Sequence, residues 1–139
     1  MHRTELRPLM ADVDAMNVVY YGRYLRFFEL GRCELMRAAG RAYAELEAAG
    51  FHLPVTEAGL RYRRPARYDD RIAVETSLAW LKKASLGFTY RIVLVGDGEP
   101  DAELVTGFTN HGCVTHQGKV AAIPEWARAA LSGQLRSIS

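Results

Sequence analysis

Cysteine is scarce in this chain of 139 residues: there are two, Cys33 and Cys113, far apart. Two distant thiols make neither a disulfide framework nor a zinc ligand set. They read as small buried apolar groups in a cytoplasmic protein. Long apolar runs are missing, and nothing approaches the ~18 residues that a membrane-crossing helix needs. Residues 1–8 are polar and carry Arg3, Glu5 and Arg7, so they offer no apolar stretch of the kind that directs secretion. Surplus charge is also lacking. The net is +2, from 18 basic against 16 acidic residues, which argues against a nucleic-acid binder. Lysine is rare, because 15 of the 18 basic residues are arginine. Repeats, low-complexity stretches and Pro/Ser-rich linkers are absent.

What is there is a soluble composition, 49% hydrophobic and 24% charged, enough apolar surface to offset the ordering entropy of one domain. The expected domain has its core over roughly residues 5–131 and a frayed tail after Gly133. Residues 5–10 suit a short first strand, and residues 11–17, with two Asp and one Asn, suit a loop. From Tyr20 the apolar residues recur at three and four: Tyr21, Tyr24, Leu25, Phe28, Leu35, Met36 and Ala39. That is a helical stripe, and Phe27 and Leu30 widen it into a helix buried on more than one side. Gly40 suits its C-cap, and Gly31 inside it predicts close approach by another backbone. A shorter helix follows over residues 41–49, closed by Gly50.

From Phe51 the period is two. Ile72, Val74, Leu78 and Trp80 alternate with polar or small residues, and so do Leu86, Phe88, Tyr90, Ile92 and Leu94. Residues 81–85 connect these strands on the water side, and residues 96–101 form a turn by composition. Residues 103–116 suit a long strand in which Gly107 and Gly112 predict bulges or close approach. Gln117 and Gly118 turn the chain, residues 119–122 continue it, and Pro124 suits the first position of a helix over residues 125–131. One long helix on about five antiparallel strands is an α+β domain. Helix and sheet cover one sheet face, so self-association is expected.

The chemistry-bearing residues are few. His2, His52, His111 and His116 have no partner at metal-site or nucleophile–base spacing, so no metal is expected. Gly96–Asp97–Gly98 is too short for a phosphate-cradling loop. Residues 12–21 stand out, because Asp12 and Asp14 lie in a loop feeding the N-terminus of the apolar helix. Such a terminus carries unpaired N–H groups and partial positive charge, which stabilise an oxyanion. A nearby carboxylate can act there as general base or nucleophile on a carbonyl, or it can simply close a turn.

This segment resembles the signature of the 4-hydroxybenzoyl-CoA thioesterase group of hotdog-fold proteins. Many members read D/E-x-D-x-x-G-V-V-Y-Y/H-x-x-Y, followed by a helix with E-x-x-R. The chain matches at Asp12, Asp14, Val18, Val19, Tyr20, Tyr21, Tyr24, Glu29 and Arg32. Residues 54–57, 62–66, 69–70, 85–92 and 118–124 also look like the family, so the likeness spans roughly residues 5–131. The resemblance implies a hotdog fold, with the long helix wrapped by a curved sheet, and hydrolysis of an acyl or aroyl thioester of coenzyme A without metal or organic cofactor.

By position, Asp14 matches the catalytic aspartate, as base or nucleophile. Tyr21 matches the first helical residue, whose backbone N–H polarises the thioester oxygen. Asp12 is expected as a loop-stabilising acceptor, and Glu29 with Arg32 as a pair across one helix turn. Asn17 stands where the family has glycine, and asparagine is well suited to replace glycine at positive φ. Asn17 is therefore read as a backbone device, or alternatively as an amide beside the thioester.

The implied substrate-facing set is Asn17, Val19, Lys82, Lys83 and Ser85, with the two lysines at a basic entrance for the coenzyme A phosphates. Arg61, Arg63, Arg64, Arg67 and Arg71 are a second basic cluster, of which Arg61, Arg63 and Arg67 share a face if extended. The acyl pocket is expected from the helix and residues 51–60. The family implies a homodimer or homotetramer with the site at the subunit interface. Alternatives are a non-catalytic acyl-CoA-binding domain and a thioesterase for carrier-protein-bound acyl chains. A hotdog dehydratase would need a histidine near the helix start, where there is none.

Overall fold

The computed structural model describes residues 1–96 and 100–135. Five antiparallel strands form the main sheet: β1 (His2–Leu6), β3 (Val55–Tyr62), β4 (Ile72–Leu81), β5 (Ser85–Leu94) and β6 (Ala102–Gly112). Their spatial order is β1-β4-β5-β6-β3, so β1 and β3 are the edges. A second sheet pairs the two-residue strands β2 (Phe51–His52) and β7 (Val114–Thr115). The helices are α1 (Tyr24–Ala38), α2 (Tyr43–Ala48) and α3 (Glu125–Ser132).

Alternation decides which strand residues meet α1. Ile72, Val74, Thr76 and Leu78 of β4 are buried, as are Leu86, Phe88, Tyr90 and Ile92 of β5. From the helix, Phe28 stacks on Tyr90 with ring centroids 4.1 Å apart, and Tyr24 meets Phe27 edge-on. Gly31 carries a close approach, though by the Thr76 and Val74 side chains and not by the backbone expected. A Cβ there would collide with Thr76 Oγ1 and lie 2.8 Å from Val74 Cγ1. Gly107 plays the same part on β6, where a Cβ would lie 2.5 Å from the Gly59 carbonyl oxygen and 2.6 Å from the Phe28 ring. The helix settles low on the sheet because both surfaces give way to glycine.

Several boundaries differ from expectation, for local reasons. The first strand is His2–Leu6, paired with residues 72–76, and not residues 5–10. Pro8 has no N–H for a ladder, and the Leu9 N–H donates to Asp12 Oδ2 at 2.8 Å, which winds Met10–Asp12 into a turn. The helical stripe opens as a tight 3₁₀ turn, Tyr21–Arg23, before α1 proper. The long strand breaks at Cys113, whose N–H donates to the Ala84 carbonyl, and β7 then turns away to pair with β2. Gly112 has ordinary spacing, since a Cβ there would lie 3.7 Å from Thr56 Cγ2. The bulges fall elsewhere, between Val55 and Glu57, Leu78 and Trp80, and Ile92 and Val93. Residues 119–122 contribute only the Val120 bridge to Val114, and Pro124 is the N-cap of α3. Beyond Gly133, Leu135 bridges Leu78. Residues 97–99 of the compositional turn and 136–139 of the tail lie outside the described residues. Cys113 is buried, whereas Cys33 is only half-buried.

Replacing Gly31 with alanine tests the close approach. The methyl has no room, so Gly31→Ala should destabilise the fold by about 1–3 kcal/mol despite its better helix propensity. Urea unfolding would show this as a lower midpoint, and an unchanged or higher midpoint would show that the helix is free to lift.

Candidate functional site

The loop before α1 is a short hairpin. Val13 bridges Val19, the Asp14 N–H donates to the Val18 carbonyl at 2.9 Å, and the Asn17 N–H donates to the Asp14 carbonyl at 3.0 Å. Asn17 has φ +59°. A tight turn followed by one left-handed residue is a standard hairpin closure, and it explains why glycine or asparagine belongs at this position. The Asn17 side chain accepts weakly from the Tyr68 N–H, at 3.4 Å.

The two carboxylates have opposite surroundings. Asp12 is buried. It accepts the Leu9 N–H, lies 3.3 Å from Arg23 Nε, and its own carbonyl accepts the Tyr20 N–H at 2.9 Å. This is the loop-stabilising acceptor expected from its position. Asp14 is exposed, and its Oδ1 accepts the Met16 N–H at 2.8 Å and the Val18 N–H at 3.4 Å. Oδ2 takes no hydrogen bond among the described residues, so the carboxylate is oriented through one oxygen and open at the other.

Tyr21 begins the 3₁₀ turn, and its N–H has no protein partner among the described residues, as geometry requires of a first helical residue. Its carbonyl accepts the Tyr62 hydroxyl at 2.9 Å. The Tyr21 side chain is 63% exposed and its ring centroid lies 4.4 Å from that of Tyr20. Val19 is buried, and its N–H donates to the Ala66 carbonyl at 2.8 Å. The Tyr24 hydroxyl accepts the Ala66 N–H at 3.1 Å, and burial pushes its phenol pKa up. Beside them lies an open groove of about 250 Å³ whose walls include Val19, Tyr21, Tyr62 and Arg64.

Lys82, Lys83 and Ser85 are not in this neighbourhood. They form the β4–β5 turn, with the Lys82 N–H donating to the Ser85 carbonyl at 2.8 Å and Lys82 Nζ lying 5.2 Å from the Trp80 ring centroid. The Asp14 loop joins the other end of the sheet, where Val18 bridges Arg67 and the Asp69 N–H reaches the Pro8 carbonyl. The ten residues of β4 separate the two ends by about 33 Å. One chain therefore brings together Asp14, Asn17, Val19 and Tyr21, and leaves the lysines and Ser85 far away.

The arginine cluster is partly committed. Arg63 Nε lies 2.7 Å from Glu103, and Arg71 pairs with Glu5 at 3.1 Å. Arg63 ends a row that crosses the outer sheet face: Arg3–Glu75, Glu75–Arg91, Arg91–Glu103 and Glu103–Arg63, each pair within 2.9 Å. Arg3 also holds the Asp101 carboxyl below its ordinary range by hydrogen bonding. Individual strands do not reveal this row, because it needs the register of all five.

A cavity of about 70 Å³ lies under α1, bordered by Glu29, Arg32, Cys33, Met36, Leu53 and His111 among others; the helix and Leu53 fall in the stretch expected to line an acyl pocket, and His111 does not. Glu29 and Arg32 form no ion pair with each other among the described residues; they flank this cavity instead. His111 is buried, and burial lowers its pKa from 6.5. The signals were present as Glu29, Arg32, Cys33 and Met36 on one helical face, and as a histidine at an inward strand position. Among the described residues no group of three or more His, Cys, Asp or Glu is placed to hold a metal ion. No helix is long and apolar enough to cross a membrane.

Comparison with known proteins agrees with this architecture. The model of the thioesterase-like superfamily matches residues 8–131. The acyl-CoA thioester hydrolase YbgC of Escherichia coli O6:H1 is 33% identical over 93 residues, 67% of this chain and 69% of that protein. The crystal structure of TT1821 from Thermus thermophilus superimposes with a TM-score of 0.87 at 36% identity, covering 95% of this chain and 98% of that one. The 1,4-dihydroxy-2-naphthoyl-CoA thioesterase Slr0204 from Synechocystis shares the fold, with a TM-score of 0.83 at 21% identity and 94% coverage of each chain. With its five-stranded antiparallel sheet against one long helix, the chain has the hotdog fold and belongs to the thioesterase-like superfamily.

Proposed function

We propose that this protein hydrolyses an acyl thioester of coenzyme A, with Asp14 as the carboxylate and the Tyr21 N–H as the oxyanion donor. The observation that carries the proposal is the open Asp14 Oδ2 on the hairpin that leads into the unpaired Tyr21 N–H. The YbgC relative, named an acyl-CoA thioester hydrolase, supports the same reading.

The thioester oxygen would accept from the Tyr21 N–H, in the partial positive field of the helix start. Asp14 would then act in one of two ways. As base, it takes a proton from water as the water oxygen bonds to the carbonyl carbon; the C–S bond breaks and the thiolate recovers a proton, leaving free acid and coenzyme A. As nucleophile, it bonds to the carbonyl carbon itself while the C–S bond breaks and the coenzyme A thiolate leaves and takes up a proton; water then cleaves the resulting anhydride, giving free acid and restoring the Asp14 carboxylate. Both routes use only this chain's groups and water, without a cofactor.

Lys82 and Lys83 enter through a second copy. Edge strand β3 is largely exposed. Two copies paired antiparallel through it would set the Val55 end of one beside the Tyr62 end of the other. The β4–β5 turn of the second copy would then approach the first copy's Asp14 loop, which supplies cations for the coenzyme A phosphates. A homodimer or homotetramer of this kind completes two sites at each paired edge.

Three measurements check this. With free-thiol release from an acyl-CoA panel, the parent should turn over and Asp14→Asn and Asp14→Ala should lose at least ~100-fold; equal rates would remove Asp14 from the chemistry, and coenzyme A binding without turnover would favour a binding domain. Replacing both Lys82 and Lys83 with alanine should raise KM and flatten its dependence on salt, whereas an identical salt response in parent and variant would remove the lysines from the entrance. Asn17→Gly should keep near-parental activity and Asn17→Val should lose stability and activity, since a β-branched residue resists φ +59°. Equal losses in both would assign the role to the Asn17 amide.

A further inference from the structure

We propose that the groove and cavity along α1 bind an aliphatic acyl chain of medium length, its far end seated between Cys33, Met36 and His111. The proposal rests on the thioesterase reading above and specifies its substrate. A groove of about 360 Å³ runs between α1 and edge strand β3, with Leu25 and Glu29 on one wall and Val55 and Ala58 on the other. The 70 Å³ cavity continues it inward, and Glu29 and Arg32 border both spaces. Leu25, Glu29, Arg32 and Met36 stand four, seven and eleven residues along one helix face. From Tyr21 this face covers about 12 Å to Glu29, where the cavity begins, and about 18 Å to Cys33. An acetyl group or a single aromatic ring held at Tyr21 ends well short of the cavity. A decanoyl chain reaches the mouth of the cavity at Glu29, and a tetradecanoyl chain runs into its inner end.

The walls decide for a hydrocarbon over a polar tail. The Leu53 carbonyl only accepts, so His111 Nδ1, 2.9 Å away, carries the proton and donates. Nε2 of the neutral ring then accepts from the Thr109 hydroxyl at 2.8 Å, and Thr109 Oγ1 accepts in turn from the Tyr90 hydroxyl at 2.5 Å. Both ring nitrogens are spent inside the protein, and an apolar occupant leaves none of them unpaired. Met36, Leu53 and Phe88 are buried apolar neighbours, and the unbranched Met36 can adapt to a chain end. Arg32 stands at the junction with its guanidinium turned inward toward the Tyr90 hydroxyl and His111, where Tyr90 gives it a partner inside the protein, and the Glu29 stem can cover the chain while its carboxylate stays in water.

Two experiments test the pocket. Hydrolysis of butanoyl- and dodecanoyl-CoA is compared in the parent and in Cys33→Phe, with thermal unfolding to confirm folding. The phenyl ring occupies the cavity, so kcat/KM for dodecanoyl-CoA should fall at least ~10-fold while butanoyl-CoA is unaffected. Independently of turnover, methylthiolation of Cys33 is followed by peptide mass in the native protein. The non-hydrolysable dodecyl thioether of coenzyme A should slow labelling at least ~10-fold, the ethyl thioether should not, and a Cys33→Phe that fails to fold leaves this arm decisive. Equal labelling with both thioethers, or losses in Cys33→Phe that ignore chain length, would overturn the pocket. Protection without turnover of any acyl-CoA would uphold the pocket and overturn hydrolysis; turnover of short chains with no protection would do the reverse.

Discussion

At Gly31 the backbone of α1 rests directly on the Thr76 and Val74 side chains of β4, leaving no room for a Cβ, and Gly107 makes similar room on β6 beneath Phe28. The depth of the helix on the sheet follows from those two positions. It lets Phe28 lie flat on Tyr90 and aligns the buried faces of β4 and β5 with the apolar stripe of α1. Because the helix is set by these contacts, its first turn is set too. Where the open N–H of Tyr21 and the groove beside β3 sit thus follows from packing made up to about ten residues further along the chain.

The same rigidity reaches the loop through Asp12. Two aspartates two positions apart, Asp12 and Asp14, are set in opposite surroundings by burial. Asp12 spends its oxygens on Leu9 and Arg23 and its carbonyl on Tyr20, which ties the incoming chain to the helix start. Asp14 uses one oxygen for orientation and leaves the other without a hydrogen bond among the described residues. A buried acceptor that loses its partners costs more than the bond is worth, so Asp12 holds the frame within which Asp14 can remain exposed.

Much of this was legible in the sequence. Helical spacing from Tyr20 marked α1, alternation marked β4 and β5, and Gly31 announced the close approach. Asp12, Asp14 and Asn17 were readable because a loop of seven residues has few ways to close, and Asn17 at positive φ is one of them. The start of the chain was misread because the apolar residues Leu6, Leu9 and Met10 look strand-like until Pro8 and the Asp12 carboxylate are considered together. Lys82 and Lys83 could not be placed against Asp14, since their distance depends on strand direction over the length of β4. The Glu29–Arg32 spacing allowed an ion pair, but the cavity between helix and strands gave those side chains another direction. His111 could be placed inward by its strand position, but not its hydrogen bonds, since Leu53 approaches it from a distant loop.

The row of charges from Arg3 through Glu75, Arg91 and Glu103 to Arg63 touches each strand of the sheet or the residue just beyond it. Taken singly, such partly exposed pairs contribute about 0.2–1 kcal/mol each. Their joint effect is on alignment. A strand that slides by one residue turns every side chain to the opposite face. If β1 slipped so, Arg3 would point into the hydrophobic interior and leave both Glu75 and Asp101 behind. Sliding of β5 would strip Arg91 from two carboxylates at once. The outer face thus works as a row of keys that admits one registration of the strands, and three of the 15 arginines in this chain, Arg3, Arg63 and Arg91, keep count.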